Sequence, residues 1–360
     1  MLTTNNTGTA HAYDLTDAIA ASEADEPTLV FIHGWLLSRA YWQPVIDLLS
    51  PYYRCLSYDL RGFGESALLK SESKGHTHSS TINNAQIELP SDKIPDIGAL
   101  DAKTDSGEIA EYQAIAIDVD SNNAAPSPEI SSSEMLNTEM PNTYTPSQYS
   151  LAAYAQDLEA LLDKLKLKTV WLVGHSLGGS IALWAAYLQS KRVKGVICVN
   201  AGGGIYIPKE FEKFRAAGQQ MVKFRPGWLP AFPLLPRLFS RIMVNQPLAT
   251  HWGKQRLKDF VHAERAAAVG ALLETTTRSE VHLLPQIVGH LTQPVHFITA
   301  TEDTIMPPRY VRHLASFHPQ FQEEETVSEI ANCGHMAMVE QPEAVGNIVR
   351  GIIDTARQPQ

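Results

Sequence analysis

The chain has 360 residues, 44% of them hydrophobic, and 39 acidic against 29 basic side chains give a formal net charge of −10. That is enough apolar material for a sizeable core, and the acidic excess argues against nucleic acid as a partner. Cys55, Cys198 and Cys333 are too few and too far apart for a disulfide framework or a zinc site, and neither a signal peptide in Met1–Ala10 nor a membrane-length apolar run is evident, so a cytoplasmic location is expected.

In chain order, Thr28–Ile32 is a continuous apolar run that predicts a buried strand ending in His33-Gly34. Tyr41–Leu49 has apolar residues at helical spacing, with Ser38 as the expected N-cap. Arg54–Tyr58 is a second strand, leading into Asp59 and a glycine-rich turn. Leu151–Leu165 predicts an amphipathic helix, Thr169–Val173 a strand, Ser180–Gln189 a helix and Val193–Val199 a strand. Gln293–Ala300 and a weaker Glu325–Ile330 complete the set. This alternation predicts an α/β fold with a mostly parallel central sheet and helices on both faces, its core drawn from residues 11–67, 146–204 and 286–356.

Two segments break the rhythm. Residues 68–145 are rich in Ser, Asn, Thr, Asp and Pro, and residues 70–145 carry 13 acidic against 4 basic side chains, so a disordered acidic insertion is expected. A tolerated surface loop and a regulatory or docking segment are both compatible with it. Residues 205–285 are instead basic, with 12 positive and 6 negative side chains, and read as a helical lid broken by Pro226, Pro230, Pro233 and Pro236 into short helices. Its aromatic residues accompany Lys223, Arg225, Arg237 and Arg241. Either the apolar side chains pack onto the core and the charges are solvated, or residues 221–243 form an interfacial surface for peripheral membrane contact.

The strand at Thr169–Val173 runs straight into Gly174-His175-Ser176-Leu177-Gly178, a Gly-x-Ser-x-Gly turn followed by a helix. This context makes a nucleophile elbow, in which glycines let strand and helix approach and the serine hydroxyl stands clear of the backbone. A serine hydroxyl becomes nucleophilic when a base removes its proton, and that base needs a carboxylate to orient it. Asp303, just after the strand ending at Ala300, is the candidate acid, with Glu302 as the alternative. His335, in the loop Asn332-Cys333-Gly334-His335, is the candidate base. The oxyanion donors expected are the backbone N–H groups of Leu177 and Trp35, with Leu36 as the alternative to the latter. His33 is expected to anchor its loop, as are Asp59 and Arg61 in Asp59-Leu60-Arg61-Gly62-Phe63-Gly64-Glu65-Ser66.

The order Ser176, Asp303, His335, together with His33-Gly34, the Asp59–Ser66 loop and the elbow, resembles the small-lid branch of the α/β-hydrolase superfamily. The resemblance covers residues 28–66 and 146–355. It implies a serine triad beneath the lid, with no cofactor and no metal. Fewer than about thirty residues precede the first central strand, so a shortened antiparallel start to the sheet is expected. Related epoxide hydrolases and haloalkane dehalogenases carry aspartate at the elbow, where this chain has Ser176. The Ala201–Gly204 start of the lid and its Phe-, Trp- and Pro-rich middle are similar to cyanobacterial and plastid hydrolases, a group that includes enzymes removing the phytyl chain of chlorophyll. The resemblance implies a serine hydrolase of carboxylic esters acting on an apolar small-molecule substrate, with room for a long acyl or isoprenoid chain. Acyl transfer or carbon–carbon bond hydrolysis by the same triad, and a ligand receptor on the same fold, remain open alternatives.

Overall fold

The computed structural model describes residues 2–6, 9–17, 26–67, 86–89, 143–203 and 208–357. Strands β1 (Leu2–Asn6), β2 (Thr9–Thr16), β3 (Thr28–Ile32), β4 (Cys55–Tyr58), β7 (Val170–His175), β8 (Val193–Val199), β9 (Val295–Ala300) and β10 (Val327–Ile330) form an eight-stranded sheet ordered β1-β2-β4-β3-β7-β8-β9-β10. From β4 to β10 every pairing is parallel, while β1 and β2 run antiparallel at one edge. The expected shortening of the antiparallel start is therefore corrected. β1 is polar, Leu-Thr-Thr-Asn-Asn, and its place is fixed by backbone pairing to β2, with no apolar run to announce it.

Strand periodicity explains why the central strands read as unbroken apolar runs. Val30 and Ile32 enter one buried cluster and Leu29 and Phe31 the other, and the same alternation separates Leu172 from Trp171 and Val173. One face is covered by α2 (Leu151–Lys164) and α3 (Leu177–Leu188). The other is covered by α1 (Gln43–Leu49) and the C-terminal helix Pro342–Ala356. Each large side chain buried fully in these layers contributes roughly 1.5–3 kcal/mol relative to exposure.

Local expectations shift at several ends. Ser38 makes no capping bond. Its Oγ donates instead to Asp259 Oδ2 at 2.8 Å and accepts from the Gln255 amide at 3.4 Å, so its partners are on a distant helix. Ser150 caps α2, accepting from the Ala153 N–H at 3.3 Å. Residues 323–326 are a helical turn ahead of β10.

Between β8 and β9 the described chain from Pro208 onward is mostly helical. α4 (Pro208–Lys223), α5 (Leu235–Phe239), α6 (Thr250–His262), α7 (Arg265–Thr275) and α8 (Arg278–His290) follow one another, with a short 3-10 turn at Leu229–Ala231. α8 runs through Pro285, so the segment ends on a helix that continues to His290. Within the segment expected to be an insertion, β5 (Ile87–Glu88) pairs antiparallel with β6 (Thr143–Tyr144), and Leu89 is buried. The expectation of disorder for 68–85 and 90–142 lies outside the described residues.

Candidate active site

β7 ends at His175, and Ser176 begins the turn into α3 with φ 52° and ψ −120°, a conformation that costs energy for any L-residue. The flanking glycines hold it there. A Cβ on Gly174 would lie 2.2 Å from the Gly178 carbonyl oxygen, and one on Gly178 would lie 2.3 Å from that of Ile32. Helix and strand thus touch backbone to backbone, and the turn is forced outward.

The loop after β3 closes on this turn. A Cβ on Gly34 would come within 3.2 Å of the Ser176 Cβ, which brings the following residue, Trp35, alongside the elbow. Ser176, Leu177 and Trp35 all line one pocket, together with Phe214, Leu272 and Met306. Its volume is about 100 Å³. The Trp35 indole N–H donates to the Ala268 carbonyl at 2.9 Å, fastening the loop to α7. Leu36, the alternative donor, is buried with φ 57°.

The structure brings Asp303 and His335 together. The Nδ1 of His335 lies 2.7 Å from Asp303 Oδ2, and both side chains are almost wholly buried. Asp303 Oδ1 accepts from the backbone N–H groups of Ile305 and Met306, at 2.9 and 2.8 Å. Burial alone would raise the pKa of this carboxyl. The adjacent His335, the Met306 N–H and the Asn200 amide outweigh burial and hold it below the ordinary aspartate value. A carboxylate can only accept, so His335 Nδ1 carries the proton of this bond and Nε2 is the nitrogen left over for other chemistry. Glu302 is exposed and accepts from the Thr301 hydroxyl, so it takes no part in this pair.

Three contributors escaped the sequence reading. Asn200, at the end of β8 with φ 49°, donates from Nδ2 to Asp303 Oδ2 at 2.8 Å. An asparagine followed by Ala-Gly-Gly at a strand end is the signal that marks this kind of left-handed position. His175 places Nε2 2.7 Å from the His335 carbonyl oxygen, with the two rings 4.8 Å apart. Glu340 Oε2 accepts from the Gly334 N–H, and its Oε1 from Asn245 and Gln246, clamping the His335 loop to the helical segment.

The anchoring residues behave as loop fixtures. His33 is fully buried, donates from Nδ1 to the Gly34 carbonyl and accepts at Nε2 from the Leu60 N–H, and burial lowers its pKa. Asp59 is gripped by Arg39 and by the Glu65 N–H, while Arg61 pairs with Asp157 at 3.0 Å. Among the described residues no three His, Cys, Asp or Glu side chains gather as a metal-binding group.

A strained serine at the strand-to-helix turn after β7 and a buried Asp–His pair are linked through His175, which precedes the serine and bonds to the His335 carbonyl. The chain belongs to the alpha/beta hydrolase family, whose model matches residues 29–347. It is 28% identical over 214 residues to an uncharacterized protein of Mycobacterium tuberculosis, spanning 57% of this chain and 62% of that relative. It is also 27% identical over 212 residues to the epoxide hydrolase EphH of the same organism, covering 56% of this chain and 94% of the relative. Among solved structures, an esterase from Thermogutta terrifontis superposes with a TM-score of 0.60 at 19% identity, covering 99% of this chain and 97% of that one. No helix among the described residues is long and apolar enough to cross a membrane.

Proposed function

We propose that the protein hydrolyses carboxylic esters with short apolar acyl groups, through Ser176, His335 and Asp303. The observation that carries this reading is the buried His335–Asp303 hydrogen bond of 2.7 Å, in a loop fastened to His175, the residue before the elbow serine.

Ser176 Oγ attacks the ester carbonyl carbon as His335 Nε2 takes its proton, and Asp303 stabilises the resulting imidazolium. The negative oxygen that forms is held by the backbone N–H groups of Leu177 and Trp35. Collapse expels the alcohol, which receives its proton from His335 and leaves an acyl-serine. Water then attacks the acyl group with His335 again as base, releasing the acid and the free serine. Serine at the elbow, in place of aspartate, supports this route over epoxide opening.

The pocket supports a short acyl group. Its volume of about 100 Å³ favours a short acyl group over the long acyl or isoprenoid chain expected from the aromatic-rich segment, most of whose aromatic side chains do not line it. Phe214 lines the cavity, whereas Phe224, Trp228 and Phe232 are exposed.

The test is turnover of p-nitrophenyl butyrate by the intact chain and by Ser176→Ala. A loss of at least about a thousandfold with an unchanged melting temperature is expected. Equal turnover by the variant would overturn the assignment.

A further inference from the structure

Seven of the nine large hydrophobic side chains exposed among the described residues lie between Met221 and Ile242; the other two are Leu48 and Tyr52. Phe224 and Leu234 are each 69% exposed, and Trp228, Phe232 and Leu238 are more than half exposed. Trp228 and Phe232 pack on one another with ring centroids 5.2 Å apart, yet both remain in solvent. Soluble surfaces scatter such residues singly. A cluster of this density marks a surface that something covers.

The cluster is held from beneath. Arg225 Nη1 donates to the Phe260 carbonyl at 2.7 Å, fixing the turn after α4 to α6. Arg256, buried, donates to the carbonyls of Phe239 and Ile242 and so caps the turn after α5. With the backbone tied inward by these two guanidinium groups, the aromatic side chains are presented outward as a preorganised face.

Charge identifies the partner. From Lys213 to Lys258 the sequence has nine basic residues and no Asp or Glu, within a chain of net charge −10. Lys223, Arg237 and Arg241 are exposed beside the apolar side chains, and the Lys223 ammonium sits 5.5 Å from the Phe224 ring centre. The chain as a whole is acidic, whereas this segment combines positive charge with exposed apolar groups. Exposed aromatic rings together with exposed lysine and arginine match the boundary between acyl chains and anionic headgroups.

We propose that residues 221–242 form a docking surface for an anionic lipid bilayer. Phe224, Trp228, Phe232, Leu234 and Leu238 enter the acyl boundary, and Lys223, Arg237 and Arg241 meet the lipid phosphates.

The test is flotation of the full chain with vesicles of equal parts phosphatidylcholine and phosphatidylglycerol at low salt, beside vesicles of phosphatidylcholine alone. The chain is expected to partition at least tenfold better onto the anionic vesicles. Removing two cationic side chains from the surface weakens binding by about 25-fold or more, so Arg237→Glu with Arg241→Glu should release it. Phe224→Ser with Trp228→Ser and Phe232→Ser should release it independently, with the melting temperature of both variants preserved because all five positions are on the surface. Ser176→Ala should float like the unaltered chain, which separates docking from hydrolysis. Failure of the unaltered chain to float at low salt, or flotation undiminished by the aromatic substitutions, would overturn the proposal. So would a stable dimer in sedimentation that only the aromatic variant splits, since a second copy would then be the occupant.

Discussion

The Nε2 of His175 donates to the carbonyl oxygen of His335 across 2.7 Å, joining the last residue of β7 to the loop that carries the candidate base. Burial and the nearby His335 ring push the His175 pKa down to about 3, so the ring stays neutral and the donor is permanent. His175→Ala removes this bond, worth about 1 kcal/mol, and the ring packing that goes with it. The expected result is a fall of about tenfold in kcat for p-nitrophenyl butyrate, with KM nearly constant and the pH profile unmoved. An unchanged kcat would show that the His335 loop holds its position without this contact.

Glu280 is a second buried carboxyl with a readable pH signature. Burial pushes its pKa up to about 7, the Tyr144 hydroxyl that donates to Oε1 works against that shift, and Glu274 adds to it. The unfolded value is about 4.3, so the folded state holds the proton more tightly. Stability from this site is therefore complete below about pH 4 and is lost as the pH rises through 7. Glu280→Gln keeps the acceptor for Tyr144 and removes the charge. Urea unfolding should find the variant about 2 kcal/mol more stable at pH 8 and nearly equal to the unaltered protein at pH 4.5. No gain at pH 8 would mean that the carboxylate is solvated there.

Gly178 and Gly227 offer a matched pair. A Cβ at Gly178 would sit 2.3 Å from the Ile32 carbonyl oxygen and 2.7 Å from that of His33, both backbone atoms with nowhere to move. Nothing lies within 4 Å of the corresponding position at Gly227. Gly178→Ala should cost roughly 3 kcal/mol or more, and Gly227→Ala should stay within about 0.5 kcal/mol. Thermal unfolding of the two variants checks both, and equal melting temperatures would contradict the close approach at the elbow.

The pocket sets an acyl-length limit. A cavity of about 100 Å³ is smaller than one that holds benzene, about 150 Å³. Turnover of p-nitrophenyl butyrate should exceed that of the palmitate by at least about tenfold, and Leu272→Ala should shift the optimum to longer chains. A preference for palmitate in the unaltered chain would show that α4 and α7 separate when substrate enters.

The strongest sequence signals were those in which local geometry and chemistry coincide. Gly174 and Gly178 can be read in advance because no other residue fits where strand and helix backbones touch. Asp303 and His335 are legible because each follows a strand end, and parallel strands deliver their C-terminal loops to one edge. Long-range partnerships left no trace of this kind. Ser38 looked like a cap because nothing local reveals Asp259, more than two hundred residues away, as its partner. The exposed aromatic face was ambiguous for a similar reason. Phe239 and Phe224 look equivalent in sequence, yet one packs beside Phe260 and the other stands in solvent.

The β5–β6 ribbon bears on what this fold can carry. Ile87 faces Tyr144 and Glu88 faces Thr143, while the Tyr187 hydroxyl donates to the Glu88 carbonyl and the Tyr144 ring lies against Trp184. The chain therefore departs at Leu89 and returns at Thr143 across a single strand spacing, about 4.8 Å. A loop closed on such a ribbon has both of its ends fixed by the paired strands. Doubling the length of such a loop costs only about 0.6 kcal/mol in closure entropy. Through the Tyr187 and Trp184 contacts, the ribbon ties both of its strands to the helix that begins directly after the elbow serine.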